Sequence, residues 1–278
     1  MAEQLARVMA IVNRTPDSFY DRGATFAVDK AVERAGRAIA DGADIIDVGG
    51  VKAGPGDEVD PAEEIRRVVP VIAAVRAAHP GVTLSVDTWR ARVAEAAIEA
   101  GADLINDTWA GFDPQLVEVA GAAGVGYVCS HTGGAVPRTR PHRVRYDDVV
   151  ADVIRETTAL AERAVALGVP AEKVFIDPTH DFGKNTYHGL EILRRVDELV
   201  ATGWPVLMAL SNKDFVGETV DRGVEERVAG TLAATAWAAA RGVAAFRVHQ
   251  VRETVDVIRM TAAISGEAPP LHTVRGLA

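Results

Sequence analysis

The stretch LSVDTWRARVAEAAIEAGADLIND, residues 84–107, decides the fold of this chain. It starts with a short apolar run that breaks at Asp87 and continues as an Ala-rich segment with helical spacing. After Gly101 it ends in a second apolar run that breaks at Asn106. A strand, a helix and a strand in this order form a right-handed unit with parallel strands. Both strands end in polar residues, so the stretch predicts a polar edge at the carboxyl ends of the strands.

The same unit repeats along the whole chain. Apolar runs predict strands at residues 8–12, 44–48, 82–86, 103–106, 126–130, 173–177, 205–210 and 244–248. Helical spacing predicts helices at residues 28–41, 61–79, 90–100, 114–123, 147–167, 185–200, 223–241 and 251–265. Eight such units without a linker predict one α/β domain over residues 1–278, a (β/α)₈ TIM barrel. A doubly wound sheet is the alternative.

The boundaries of the helices separate the two ends of the predicted barrel. Asp60-Pro61 and Asp113-Pro114 are typical helix starts, and six helices run into a glycine just before the next strand. These glycines are Gly42, Gly101, Gly124, Gly168, Gly203 and Gly242. The segments that follow strands are longer, at residues 13–27, 49–60, 131–146 and 177–188. Long connections are typical of a functional face, which we therefore expect at the carboxyl ends of the strands.

Composition limits the class of protein. A chain of 278 residues with 48% hydrophobic content can bury a large core. The net charge of −9 argues against a nucleic-acid or anionic-membrane partner. The single cysteine, Cys129, excludes an internal disulfide and fits a reducing compartment. No signal peptide and no apolar run of about 18 residues is apparent, so we expect a soluble, cytoplasmic protein.

Scarce polar residues collect after the predicted strands. The chain holds four Asn and five Lys. All four Asn and three of the Lys lie just after a strand: Asn13, Asn106, Asn185, Asn212, Lys52, Lys184 and Lys213. A barrel builds its active site from such positions, because the carboxyl ends of its strands meet at one face.

Asp87, Asn106 and Asp177 are predicted at the mouth of the barrel. A carboxylate can accept two parallel N–H bonds from the edge of a 2-amino-pyrimidinone, and an amide can donate and accept beside it. The three residues therefore suit a pterin or guanine-like ring. The alternative is that they cap the helices that follow.

Lys213, Arg247 and His249 predict an anion site at the corner of strands 7 and 8. Arg247 and His249 alternate along a strand, so their side chains point to the same face. Turned inward, these two cationic donors would meet Lys213 where barrels often bind phosphate. The alternative is a surface arginine and a core histidine. Asn13, at the end of strand 1, can be a ligand of a Mg²⁺ ion that a diphosphate carries.

These motifs together resemble the dihydropteroate synthase family, a family of pterin-binding (β/α)₈ barrels. The similar segments are IVNRTPDSF, GADIIDVGG, residues 84–107, IDPTHDFGK, LMALSNKDFVGE and FRVHQV, in the family's order. The resemblance implies transfer of a dihydropterin from its diphosphate to the amine of 4-aminobenzoate, with release of diphosphate. It implies that Asp87, Asp177 and Lys213 are catalytic residues, and that members are commonly homodimers.

The resemblance also assigns residues to ligands. It implies that Asp87, Asn106, Asp177 and Lys213 bind the pterin and that Asn13, Arg247 and His249 bind the diphosphate, with Mg²⁺ at Asn13. It places Phe182, Ser211 and Asp214 at the acceptor site. The Ala-rich segment at residues 231–240 is a candidate dimer contact, although packing on the barrel explains it equally well.

The departures from the family pattern fall in loops. Ala53 and Gly54 stand where the family has Thr and Arg, and Asn212 and Asp214 where it has Arg and Ser. Thr179, His180 and Asp181 replace a Gly-rich sequence, while Phe182 and Lys184 remain. His131 matches, but Thr132 replaces a Met.

These changes predict an altered acceptor site. A carboxylate at Asp214 about 6 Å from that of 4-aminobenzoate costs roughly 3 kcal/mol at an effective dielectric of 20, or about a hundredfold in affinity. We therefore expect weak binding of 4-aminobenzoate and of the sulfonamides that mimic it, and another acceptor is possible. The alternatives are a pterin-dependent methyltransferase, a non-catalytic paralogue, and a zinc hydrolase built on His180 and His188.

Overall fold

A computed structural model describes residues 5–14, 27–139 and 144–275. Its eight strands are all parallel and lie in the order β6-β5-β4-β3-β2-β1-β8-β7. The strands are β1 Arg7–Asn13, β2 Ile45–Gly49, β3 Thr83–Asp87, β4 Leu104–Asp107, β5 Gly126–Ser130, β6 Val174–Asp177, β7 Leu207–Met208 and β8 Ala245–Val248. A parallel bridge between Ile176 and Val206 joins β6 to β7. This bridge brings the two sheet edges together, so the predicted (β/α)₈ barrel is confirmed and the doubly wound alternative is wrong.

Helices surround the strands. They are α1 Val28–Ala40, α2 Pro61–Ala78, α3 Ala91–Glu99, α4 Leu116–Ala123, α5 Val149–Ala166, α6 Thr186–Arg194, α7 Val196–Val200, α8 Asp214–Val220, α9 Val228–Ala239 and α10 Val251–Ser265. None of the described helices has the length and apolar character that a membrane crossing requires.

Two predicted helices differ from the structure, and one observed helix was not predicted. The segment at residues 185–200 is two helices, because Arg195 leaves the helical conformation with φ −112° and ψ 26°. The helix predicted from residue 223 begins at Val228, after a 3-10 turn at Val224–Glu226. Helix α8 was missed because a tertiary contact supports its first turn: Asp181 accepts hydrogen bonds from the backbone N–H groups of Asp214 and Phe215.

One predicted helix start is confirmed and the other is wrong. Asp60 accepts the backbone N–H of Glu63 at 2.8 Å and caps α2. Asp113 does not begin a helix at Pro114, since α4 starts at Leu116. Its Oδ1 accepts the N–H of Gln115 just before α4, and its Oδ2 accepts the N–H of Ala91, the first residue of α3. All six glycines predicted at the helix-to-strand turns have positive φ angles.

The interior of the barrel changes from apolar to polar along the strands. An inner cluster of Met9, Ile45, Leu104, Val128, Phe175, Leu207 and Ala245 fills the barrel, separately from the larger core between strands and helices. Because side chains alternate along a strand, the inward positions one or two steps further on are Asp47, Asp87, Asn106, Asp177 and Arg247. The fold therefore places polar groups over a filled apolar floor.

Candidate active site at the carboxyl ends of the strands

Strand register places the first predicted site residues side by side. Asn13 on β1 pairs with Gly49 on β2, Gly49 pairs with Asp87 on β3, and Asp87 pairs with Asn106 on β4. A Cβ at Gly49 would lie 3.2 Å from Oδ1 of Asn13 and 3.6 Å from the Asp87 side chain. The glycine thus allows the side chains of Asn13 and Asp87 to approach each other.

A cavity of about 460 Å³ opens above this level. All ten residues predicted from the sequence line it: Asn13, Asp87, Asn106, Asp177, Phe182, Ser211, Lys213, Asp214, Arg247 and His249. The structure therefore brings the whole predicted set together at the mouth of the barrel. The roles assigned to the individual residues remain predictions.

Arg247 connects two carboxylates at the base of the cavity. Its Nε donates to Oδ2 of Asp47 and its Nη2 donates to Oδ2 of Asp87, both at 2.6 Å. Asp47 is fully buried, and the two carboxylates raise the pKa of the Arg247 guanidinium although burial opposes this. Arg247 is therefore a permanent cation within the barrel, and the alternative of a surface arginine is wrong.

Further hydrogen bonds hold the same carboxylates. Ser85 donates to Oδ1 of Asp47 at 2.6 Å, and the amide of Asn106 donates to its Oδ2 at 3.2 Å. Thr108 donates to Oδ1 of Asp87 at 2.7 Å. Burial raises the pKa of Asp87, while Arg247 acts in the opposite direction. In these contacts Asp87 and Asn106 bond to side chains rather than to the first turns of the helices that follow, which disfavours the capping alternative.

Asp177 lies on the opposite side of the cavity at the end of β6. Its Oδ1 accepts the backbone N–H of Thr179 at 2.7 Å, a turn contact. Burial raises the pKa of Asp177 to about 6, although Lys213, Lys184 and Arg247 favour the charged form. The carboxylate is therefore ionised near neutral pH and protonates just below it.

Lys213 extends across the aromatic wall of the cavity. Its Nζ donates to the carbonyl oxygen of His180 at 3.0 Å and lies 4.5 Å from the ring centroid of Phe182. Trp109 meets the same ring edge-on, with 5.0 Å between centroids. Burial lowers the pKa of Lys213, and nearby aspartates oppose the shift. Lys213, Phe182 and Trp109 thus form one continuous cationic and aromatic wall of the cavity, against which a planar ligand can lie.

His249 and Ser211 form a unit between the ends of β7 and β8. Nδ1 of His249 lies 2.9 Å from Oγ of Ser211, and the hydroxyl donates to Oε1 of Gln250 at 3.0 Å. Burial, together with Arg247 and other nearby cations, lowers the pKa of His249 to about 3. The imidazole is therefore neutral, unlike the cationic donor expected from the sequence. Ser211, predicted at the acceptor site, bonds to a residue predicted to bind diphosphate.

Three carboxylates line the outer part of the cavity: Asp181, Asp214 and Glu218. Oδ1 of Asp214 forms an ion pair with Nη1 of Arg227 at 2.9 Å. This pair reduces the repulsion expected of Asp214 alone. Asp181, which the sequence marked only as a departure from glycine, adds a second carboxylate next to Lys213.

The loop at residues 51–60 reaches the rim of the cavity. Val51, Lys52, Ala53 and Gly54 line it. Arg138, from the loop after β5, donates to the carbonyl oxygens of Gly54 at 3.4 Å and Asp57 at 2.5 Å. The two loops therefore hold each other. Of the long segment predicted after the first strand, residues 13–27, the part at residues 15–26 lies outside the described residues.

Sequence reasoning gave no role to three charged residues at the site: Asp47, Asp181 and Lys184. Asp47 could have been found from the sequence, because it is an acidic residue inside the apolar run ADIIDVGG. Lys184 is buried and donates to the carbonyl oxygens of His131, Thr179 and Phe182, and burial lowers its pKa to about 7. In the sequence, Asp181 stands out only as a charged residue in a segment where the family has glycine.

Another cluster of possible metal ligands lies beside the cavity. Among the described residues, the ligand atoms of His131, Asp152 and Glu156 all lie within 4.8 Å of one another. Neither His180 nor His188 belongs to this group. His188 instead caps α6 with Asn185, and His180 is buried against Phe215. The two histidines of the zinc-hydrolase alternative therefore have structural contacts.

Comparisons with known proteins agree with this geometry. Residues 9–249 match the family described as pterin binding enzyme. Inactive dihydropteroate synthase 2 of Mycobacterium leprae is 65% identical over 275 residues, covering 98% of this chain and 94% of the relative. Dihydropteroate synthase of Staphylococcus epidermidis is 40% identical over 254 residues, covering 88% of this chain and 90% of the relative.

A solved structure agrees as well. Dihydropteroate synthase of Yersinia pestis, in complex with a sulfonamide drug, superposes with a TM-score of 0.89 at 37% identity, covering 95% of each chain. The barrel of this chain thus has its counterpart in a solved dihydropteroate synthase. The chain belongs to the pterin binding enzyme family and is a dihydropteroate synthase-like protein.

Proposed function

We propose that this protein binds a pterin diphosphate in the inner part of the cavity and turns over 4-aminobenzoate weakly or not at all. The inner part is defined by Asn13, Asp87, Asn106, Asp177, Arg247 and His249, and the outer part by Asp181, Phe182, Asp214 and Glu218. The observation that supports the proposal most is the contrast between them. All six residues of the inner part line the cavity, whereas the outer part carries three carboxylates where an anionic acceptor would have to bind.

The inner part has the groups that a pterin ring requires. Ionised Asp177 can accept two N–H bonds from the amino-pyrimidinone edge, and Asn106 can donate and accept beside it. Lys213, at the border between the inner and outer parts, offers a cation to the flat heterocycle. The buried apolar floor keeps water away from these bonds, so each of them gains strength.

The charges also suit departure of the diphosphate. When the carbon–oxygen bond to diphosphate breaks, its electron pair leaves with the anion and positive charge spreads over the dihydropterin. The carboxylates of Asp87 and Asp177 stabilise that positive charge. Arg247 uses Nε and Nη2 for its two aspartates, so its Nη1 group can face the anion. No nucleophilic side chain is required for this step.

Asn13 fits a role as a magnesium ligand. Its amide oxygen faces the open space kept by Gly49, next to Asp87, and the residue lines the cavity. Mg²⁺ typically takes one or two protein oxygens and completes its shell with water and substrate phosphates. One amide oxygen at this position is consistent with an ion that arrives with the diphosphate and offsets its charge there.

The relative from Mycobacterium leprae supports the second half of the proposal, because its name describes it as inactive and it shares 65% of aligned residues. The test is turnover with labelled 4-aminobenzoate and pterin diphosphate. We expect a rate at least about a hundredfold below that of an active family member, because Asp181 and Glu218 add to the repulsion of an anionic acceptor that the ion pair between Asp214 and Arg227 reduces. The matched variant is Ala53→Thr, Gly54→Arg and Asp214→Ser combined, which restores the family residues and should raise the rate.

Turnover by the unmodified chain at the rate of an active member would refute the proposal, as would tight sulfonamide binding. Absence of pterin diphosphate binding would refute its first half.

We also propose that the protein is a homodimer. An apolar groove between α6, α8 and α9 includes Leu193, Val216, Val220 and Trp237, and the last two are 42% and 46% exposed. Contiguous exposed apolar surface is typical of an interface. Sedimentation equilibrium should give twice the mass of one chain, and Trp237→Glu should shift it to the monomer. A monomeric mass at micromolar concentration would contradict the dimer.

A further inference from the structure

The turn after β6 has an unusual backbone. Thr179 has φ 51° and Asp181 has φ 69°, both in the left-handed region. That region is unfavourable for a β-branched residue such as Thr and is tolerated better by Asp. The family has glycine-rich sequence here, whereas this chain carries the side chains of Thr179, His180 and Asp181. Strain of this kind persists where surrounding contacts fix it, often at functional sites.

Hydrogen bonds fix this turn on both sides. The hydroxyl of Thr179 donates to the carbonyl oxygen of Asp177 at 3.0 Å, and Lys213 binds the carbonyl oxygen of His180. Oδ2 of Asp181 accepts the backbone N–H of Asp214 at 2.5 Å, and its Oδ1 accepts that of Phe215 at 3.4 Å. The Asp181 carboxylate is therefore held in one place rather than moving with a loop.

The position of Asp181 determines the charge of the outer part. Its carboxylate lines the cavity beside Phe182; burial raises the pKa of Asp181, and Lys213 opposes this shift by stabilising the charged form. A carboxylate that arrives with a ligand must share Lys213 with Asp181. Asp214 has its own cation in Arg227, so the acidity of the outer part depends mainly on Asp181 and on Glu218.

The walls of the outer part indicate the shape of its ligand. Phe182 and Trp109 meet edge-to-face and both line the cavity, so a flat aromatic ring can stack there. A positive group on that ring would meet the faces of the aromatic side chains as well as the carboxylates.

On the basis of the proposed pterin binding, we propose that Asp181 makes the outer part selective for a cationic aromatic amine over one that bears a carboxylate. Asp181 is a specificity-determining residue: it selects the charge of the second ligand, and its replacement by a neutral residue reverses the preference. The ligand class is an arylamine that carries an amidinium or ammonium group in place of a carboxylate.

Three probes of nearly equal size test the charge selection: 4-aminobenzoate, 4-aminobenzamide and 4-aminobenzamidine, which are anionic, neutral and cationic. Each is titrated calorimetrically into the full-length protein saturated with pterin diphosphate. We expect the amidine to bind at least about tenfold more tightly than the benzoate, with the amide between them, because a single charge contact at about 6 Å is worth this much or more. Equal or tighter binding of the benzoate overturns the inference.

Asp181→Asn removes the charge and keeps the shape, since Asn tolerates a positive φ. The variant should strengthen benzoate binding and weaken amidine binding, each by about tenfold, and leave the amide unchanged. A parallel loss for all three probes would show a structural role and overturn the inference. Glu99→Gln is the matched control: Glu99 is an exposed carboxylate at the last position of α3, at the opposite end of the barrel, and all three affinities should stay the same.

Titration of pterin diphosphate alone separates the two proposals. If that ligand does not bind, the proposed function fails, and the three probes are titrated into the protein without it. The order of their affinities then decides the role of Asp181 by the same criteria.

Discussion

The inner and outer parts of the cavity are built differently. Residues of the inner part lie on strands or, for His249, directly after one. Asn13, Asp87 and Asn106 are linked by backbone register, and Arg247 connects β8 to β2 and β3. Residues of the outer part lie on turns and on the short helix α8. Because hydrogen bonds of the barrel fix the inner residues, changing them threatens the fold. Residues on turns can be substituted with less effect on the barrel. The acceptor site in the outer part can therefore change while the pterin site in the inner part stays the same.

The largest effect is expected in the inner part, from Arg247→Met. The substitution leaves Asp47 and Asp87 as buried carboxylates without their cation, and breaking a buried pair typically lowers the free energy of unfolding by about 3–5 kcal/mol. Urea denaturation measures the loss. Arg252→Met, at an exposed position of α10, is the control and should stay within about 0.5 kcal/mol. Equal stabilities of the two variants would show that the ion pairs do not hold the inner part.

A smaller effect is expected for Asp177→Asn. The amide cannot provide two acceptors to the ring edge, and the loss of charge-assisted bonds of about 1.5–3 kcal/mol weakens pterin affinity by roughly 10- to 100-fold. Equilibrium dialysis with 6-hydroxymethylpterin measures the change. Asp197→Asn, on the exposed face of α7, should leave the affinity unchanged. Unchanged affinity in Asp177→Asn would show that the pterin ring does not bind to Asp177.

The pH dependence of pterin binding should reflect the ionisation of Asp177. Burial raises the pKa of Asp177 to about 6, so the charged acceptor is lost as the pH falls through that value. Affinity for 6-hydroxymethylpterin should fall up to about tenfold per unit below pH 6 and be constant above pH 7. Because the folded protein holds this proton more tightly than the unfolded chain, the group's own contribution to stability changes in the opposite direction and increases as pH falls from 6 to 4.

The matched measurement uses Asp177→Asn, whose affinity should show no transition near pH 6. A transition of equal size in that variant would assign the proton to another group, such as Asp107, whose pKa burial also raises to about 6.

The smallest effect is expected in the outer part, from Arg138→Ala. Within the described part of the chain, the hydrogen bonds of Arg138 go to backbone oxygens of the loop at residues 51–60. The global free energy of unfolding should therefore change by less than about 1 kcal/mol. Hydrogen exchange of residues 53–57 should nevertheless become faster, because the two loops no longer hold each other. Unchanged exchange in this segment would show that the contact does not restrain the loop.

The strands and most helices could be predicted from the sequence because local patterns determine them. Apolar runs that end in polar residues placed all eight strands, and alternation along β8 correctly put Arg247 and His249 on the cavity side. The pattern also brought seven of the ten predicted residues to one cavity, since parallel strands bring their carboxyl ends together. The other three, Phe182, Ser211 and Asp214, were predicted from the family resemblance.

Contacts between distant segments could not be predicted in this way. The start of α8 depends on Asp181, 33 residues away, and the charge on Asp214 is balanced by Arg227. The neutral state of His249 follows from burial among cations. Each of these facts depends on the distance between side chains in the folded chain, which no spacing in the sequence encodes.

The comparison between inner and outer parts is tested most directly by one calorimetric experiment in two stages. Pterin diphosphate with Mg²⁺ is titrated into the protein first, and 4-aminobenzoate is then titrated into the complex. We predict clear saturable binding in the first stage and an affinity at least about a hundredfold below that of an active family member in the second. Tight binding of 4-aminobenzoate to the complex, or no binding of the diphosphate, would contradict the account.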